Sequence, residues 1–142
     1  MRDYEVLVLV ASLVCVFGLF IIGTFVSAGS RKQSWRYDLY KRLKKAKLKK
    51  VNSKPEAIAV LIEAHALFDR LLVGIGAEGS TLGERLSNMR RYFTKEDYQE
   101  LREANRLRNI VVHEPETVVY AKQIKHAKSV FLNIAVKYLK HQ

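Results

Sequence analysis

The sequence predicts an all-α protein: a single N-terminal transmembrane helix, a basic helical linker and an antiparallel four-helix bundle. Three observations carry this expectation. Residues 6–28 form a run of 23 without a charge. No stretch alternates apolar and polar residues with period two, so no sheet is expected. From residue 55 onward apolar residues recur at steps of three and four, the mark of helices that bury one face. The boundaries expected are 1–30 for the anchor, 31–54 for the linker and 55–142 for the bundle.

Charge distribution supports the same division. The net charge of +11 is concentrated in residues 31–54, which carry eleven Lys/Arg against Asp38 alone. Residues 55–142 hold thirteen Lys/Arg against eleven acids and are close to neutral. At 49% apolar the chain is too hydrophobic for a disordered protein, and 142 residues leave room for one domain plus an appendage. The lone Cys15 excludes a disulfide framework and zinc sites built on paired cysteines.

The run Val6–Ala28 exceeds the ~20 residues that a helix needs to cross the hydrocarbon core. Val26-Ser27-Ala28 would pass as a signal cleavage site. Against cleavage, the run is longer than the roughly 7–15 residues of a signal's apolar region, and the N-terminus is not basic. Ten basic residues, from Arg31 to Lys50, follow the run, whereas only Arg2 precedes it. By the positive-inside rule the N-terminus lies outside and the C-terminal domain in the cytoplasm, which places the chain at a plasma (inner) membrane.

The collar from Trp35 to Val51 lacks Gly and Pro and is rich in helix formers. Trp35, Leu39, Leu43 and Ala46 fall at helical spacing among lysines. The plain reading is a solvated spacer whose charge sets topology. The functional readings are a helix on anionic lipid, worth ~1 kcal/mol per basic residue, or a phosphate-binding arm for RNA. Trp35, Tyr37 and Tyr40 beside the span favour lipid. The expected lipid contacts are Trp35, Lys44, Lys45, Lys47, Lys49 and Lys50.

In the bundle, Pro55 suits a first helical turn, and Ile58, Leu61, His65, Phe68 and Leu72 make one stripe. It ends in the glycine-bearing loop Gly74–Ser80. Thr81-Leu82-Gly83-Glu84 reads as a capping box opening a helix with Leu82, Leu86, Met89 and Phe93 on one face. Thr94 caps a third helix, whose inner face carries Tyr98, Leu101, Ala104, Arg108, Val111 and Val112 before Pro115 stops it. Tyr120, Ile124, Ala127, Phe131, Ile134 and Tyr138 line the last helix.

Arg108 on an apolar stripe is the chemical anomaly. A guanidinium stays charged, so it needs an anionic partner, a polar network or an interface there. Asn109 and His113 share a face. Arg108 and His113 stand about 140° apart on an ideal helix and could converge only if the helix end unwinds, as Glu114 before Pro115 would favour. Arg108-Asn109 followed by His113 after four intervening positions resembles the HEPN superfamily, small all-α domains whose nuclease members carry Arg, a polar residue and then His at four to six intervening positions. Arg106 fits the same pattern at six.

The resemblance covers roughly residues 55–140. It implies a homodimer whose paired Arg and His residues line one cleft, where RNA is cut without metal. His113 would then be general acid or base, Arg108 would stabilise phosphate charge, and Asn109 would orient substrate or His113. The family also includes non-catalytic partner domains, so a second reading stands beside the ribonuclease. In it, a membrane-tethered interaction module uses Arg108, Asn109 and His113 as a structural polar network. A third reading is a partner-controlled toxin, in which a regulatory protein covers the cleft.

His65 reads first as a satisfied core histidine and second as a cleft residue. No metal or cofactor is expected. His113 and Glu114 are adjacent and diverge, and Gly74, Gly76 and Gly79 neither follow a strand nor precede a Lys-Ser/Thr pair.

Overall fold

A computed structural model describes the backbone of residues 3–114 and 116–140. Within the first helix the side chains of residues 3, 5–7, 9 and 25–33 lie outside the described set. The described residues are all helix or loop, with no strand among them. In chain order they form α1 (Asp3–Leu48), α2 (Lys54–Gly74), α3 (Leu82–Asn88), a 3-10 turn (Arg90–Tyr92), α4 (Lys95–His113) and α5 (Ala121–Lys140). The chain divides into two compact units, Met1–Asp38 and Leu39–Gln142.

From Asp3 onward the first unit is one continuous stretch of α1, with no break at the expected anchor–linker boundary. Its described Leu, Ile, Val and Phe side chains, from Val8 to Ile22, are 46–70% exposed. Among the described residues no helix is long and apolar enough to cross a membrane. The side chains described without interruption in the charge-free run extend only from Val10 to Thr24, short of the ~20 residues a span requires. The remainder of that expectation, with Arg31 and Lys32, lies outside the described residues.

The second unit begins inside the expected linker, and this changes the reading of the linker's apolar stripe. Leu39, Leu43 and Ala46 are fully buried. The stripe they form is core of the second unit, not a lipid-facing seam. Burying two leucines stabilises by ~1.5–3 kcal/mol each, which sets the end of α1 as part of the folded unit. Lys44, Lys45, Lys47, Lys49 and Lys50 remain exposed, and Trp35 is half-buried. Two of these lysines already have neighbours: Lys44 Nζ lies 5.6 Å from the Tyr40 ring, and Lys49 pairs with Glu63.

α5 lies against both α2 and α4, and α3 bridges α2 and α4. The core is aromatic at its centre. Phe68 on α2 and Phe131 on α5 are fully buried, with ring centroids 5.6 Å apart, and Phe93 continues the row 6.3 Å from Phe68. Leu61, Leu72, Ile124, Ala127 and Ile134 are buried, as their spacing predicts. Tyr120 instead precedes α5 and is 69% exposed.

The caps explain where helices begin. Ser53 Oγ accepts from Glu56 N–H at 3.4 Å, and Glu56 accepts from Asn52 N–H, so Ser53-Lys54-Pro55-Glu56 starts α2. Thr81 Oγ1 accepts from Glu84 N–H at 3.2 Å, while the Glu84 carboxylate receives the N–H and hydroxyl of Ser80. Those bonds hold the Glu84 carboxyl below its usual pKa. Gly79, at φ +135°, cannot be replaced, because a Cβ there would lie 2.8 Å from that of Glu84. The single helix expected over 82–93 is broken at Met89. There the Asn88 side-chain amide donates to the Glu78 carbonyl at 2.8 Å, tying the end of α3 to the loop that precedes it.

Candidate functional site

α4 positions the residues singled out by sequence. Thr94 accepts from Asp97 N–H at 3.1 Å and fixes the start of the helix. Leu101 and Ala104 are buried and fix its rotation about its own axis. Arg108 follows on that same face and is half-buried, as its place on the stripe predicts. Its Nη1 donates to Asn109 Oδ1 at 3.2 Å. Its Nε is buried without a hydrogen-bond partner, and among the described residues no carboxylate pairs with it.

The charge of Arg108 acts on His65 of α2. The imidazole is half-buried, stands edge-on to Phe131 with centroids 5.6 Å apart, and has Nε2 3.2 Å from Asn105 Oδ1. Burial first, and then the positive charge of Arg108, push its pKa below the ordinary 6.5; the bond to Asn105 and the charge of Asp69 oppose them. A neutral His65 can donate through Nε2 to the Asn105 oxygen, so the ring belongs to a polar seam between α2 and α4.

His113 is not part of this seam. α4 stays helical through His113, and Glu114 is the first residue outside it, at φ −125° and ψ 70°. The unwinding that would swing His113 toward Arg108 is absent, so the two diverge by about 140° around the helix. His113 is exposed on the face that also carries Asn109. Of the three expected residues, the fold therefore joins Arg108 to Asn109 and leaves His113 apart. It adds His65 and Asn105, which the motif does not contain. Asn105 had a legible signal: three residues before Arg108, it lies only about 60° from it on a helical wheel.

Because the folded pKa of His65 is lowered, the unfolded chain binds more protons at mildly acidic pH. The stability that His65 contributes is complete above pH ~6.5 and is lost as pH falls through that value toward the lowered one. An NMR titration of Arg108→Met should return the His65 pKa toward 6.5. The acid-side loss of stability should shrink with it. An identical His65 titration in parent and variant would remove the electrostatic link.

Comparison with protein-family models, curated proteins and solved structures gives no match to this chain.

Proposed function

We propose that the chain is a membrane-tethered, HEPN-like interaction module, non-catalytic, with the N-terminus outside and the helical unit in the cytoplasm. The observation that carries the non-catalytic reading is the direction of Arg108. It is half-buried with its Nε enclosed and its charge acting on His65, while His113 stands about 140° away around α4. A ribonuclease of the kind the resemblance implies would need the His113 of a second subunit to reach a guanidinium that is half-buried and already bonded to Asn109. As a structural element, the His65–Asn105 bond ties α2 to α4, and the Arg108–Asn109 bond holds the guanidinium along α4. Support for the tether comes from the 23-residue charge-free run, about 35 Å long as a helix, set against a hydrocarbon core of ~30 Å. A sleeve of exposed Leu, Phe and Ile is not a stable surface in water, and the basic residues lie on one side of it.

One preparation of the full chain in neutral detergent tests both halves. RNA should stay intact in the presence of chelator, and His113→Ala should leave stability within ~0.5 kcal/mol of the parent. Arg108→Ala should cost ~1 kcal/mol through one lost hydrogen bond and lost packing of its stem, because no buried carboxylate is stranded. In intact cells, with Cys15→Ser as background, an impermeant thiol reagent should label Tyr4→Cys and spare Lys125→Cys. RNA cleavage that vanishes in His113→Ala would overturn the non-catalytic reading, and the reverse labelling pattern would overturn the tether.

A further inference from the structure

Two adjoining cavities, of about 740 and 620 Å³, share Ser87, Tyr98, Gln99 and Arg102 and so form one trough beside α4. Measured along the helix from Lys95 to Asn109 it is about 21 Å long. Its larger end is lined by Arg90, Arg91, Lys95 and Arg102, with no carboxylate in the wall. The only acid at the other end, Glu103, is held by Arg106 at 2.8 Å. All four cations of the larger end are exposed, and among the described residues none has a carboxylate within ion-pair distance.

That concentration is unexpected in a bundle whose acids nearly balance its bases. It arises because several of the acids are engaged elsewhere. Glu63 pairs with Lys49, Asp69 with Arg85 and Asp97 with Lys137, while Glu84 is bound to Ser80. Glu100 faces the groove between α4 and α5, and Glu96 stands about 100° around α4 from Lys95. The trough is therefore a surplus of positive charge in a concave surface, where complementary charge is attracted most strongly.

The chemistry of the wall separates the possible occupants. A single-stranded nucleic acid needs open aromatic faces on which bases stack. Here Tyr98 is covered by the Arg90 guanidinium, 5.5 Å from its centroid, and Phe93 is packed between Phe68 and Tyr138. No uncovered ring lines the trough. A bilayer is flat and fits a concave strip poorly. An extended peptide fits: the arginines offer planar two-point donors to carboxylates, and the side chains of Gln99 and Ser87 can bond its backbone. At 3.3–3.6 Å per residue the trough accommodates about six residues.

We propose that this trough docks an acidic, extended segment of a partner protein, the charge being read by Arg90, Arg91, Lys95 and Arg102. The proposal rests on the interaction-module reading and supplies the class of partner.

The test uses the full chain in neutral detergent and a fluorescein-labelled octapeptide alternating Glu and Ser, followed by anisotropy. Binding is expected to weaken about tenfold or more in Lys95→Glu/Arg102→Glu, as charge-assisted pairs become repulsive. Lys95→Gln/Arg102→Gln should show a smaller loss, and circular dichroism should confirm that both variants keep parental helicity. Replacing Lys44, Lys45 and Lys47 with Gln, or Arg70 on α2 with Glu, should leave binding within about twofold, since none lines the trough. No peptide binding, equal loss in the collar or Arg70 variants, or tighter binding of oligouridylate that the trough substitutions abolish would each overturn the docking. RNA cleavage in the same preparation would overturn the functional reading on its own, so the two failures remain distinguishable.

Discussion

Phe131→Ala should destabilise the helical unit by ~3–5 kcal/mol, the range for truncating a buried aromatic. Phe131 is fully buried, touches both Phe68 and His65, and lies where α5 meets α2. Its removal deletes contact area and opens a cavity that the surrounding helices can close only in part. For a domain of this size each kcal/mol moves the midpoint by ~4–8 °C, so a fall of more than about 12 °C is expected in a thermal scan. The edge-on contact with the imidazole is lost as well, and the His65 pKa should move toward its ordinary value as the ring becomes solvated. A change in midpoint below a few degrees would show that the aromatic row is not the centre of the core.

Leu43→Ala should cost ~2–5 kcal/mol, although residue 43 lies in the middle of the most basic stretch of the chain. Its side chain is fully buried with Leu39 and Ala46. Replacing Lys44, Lys45 and Lys47 with Gln, on the exposed sides of the same turns, should change stability by no more than ~0.5 kcal/mol. That substitution should weaken binding of the chain to anionic vesicles at low salt, because each basic residue near such a surface contributes ~1 kcal/mol. Lys49 is left unchanged in this comparison because its pairing with Glu63 would mix a structural effect with a lipid effect. Chemical denaturation and vesicle sedimentation should thus report the two faces of one helix separately. Equal stability of the Leu43 and lysine variants would return the collar to the status of a spacer.

Local sequence was enough for the helical class and for most helix boundaries. Ser53, Thr81 and Thr94 cap their helices through hydroxyls placed three residues before the donor, a relation contained within one turn of chain. The burial of Leu61, Phe68, Ile124 and Phe131 follows from three-and-four spacing for the same reason: a helix rotates by a constant angle, so residue number decides which side chains share a face. The half-buried place of Arg108 was legible on that ground too.

What only the tertiary structure decided were questions of which face meets which neighbour. The stripe Leu39, Leu43 and Ala46 has the pattern of a lipid seam and of a core seam alike; packing made it core. Spacing could say that Arg108 and His113 diverge unless α4 unwinds, but not whether it would. The helix runs on to His113, and the charge of Arg108 acts instead on His65, whose number is forty-three lower and which no local motif connects to it. The basic trough was hidden for a related reason. A count of charges makes residues 55–142 nearly neutral, yet neutrality is a sum over the whole surface. Pairing of Asp69, Asp97 and Glu103 with cations outside the larger end of the trough removes the acids from consideration and leaves Arg90, Arg91, Lys95 and Arg102 together. Periodicity belongs to the single helix and can be read along the chain; partnership between helices depends on distances in space, which the order of residues does not contain.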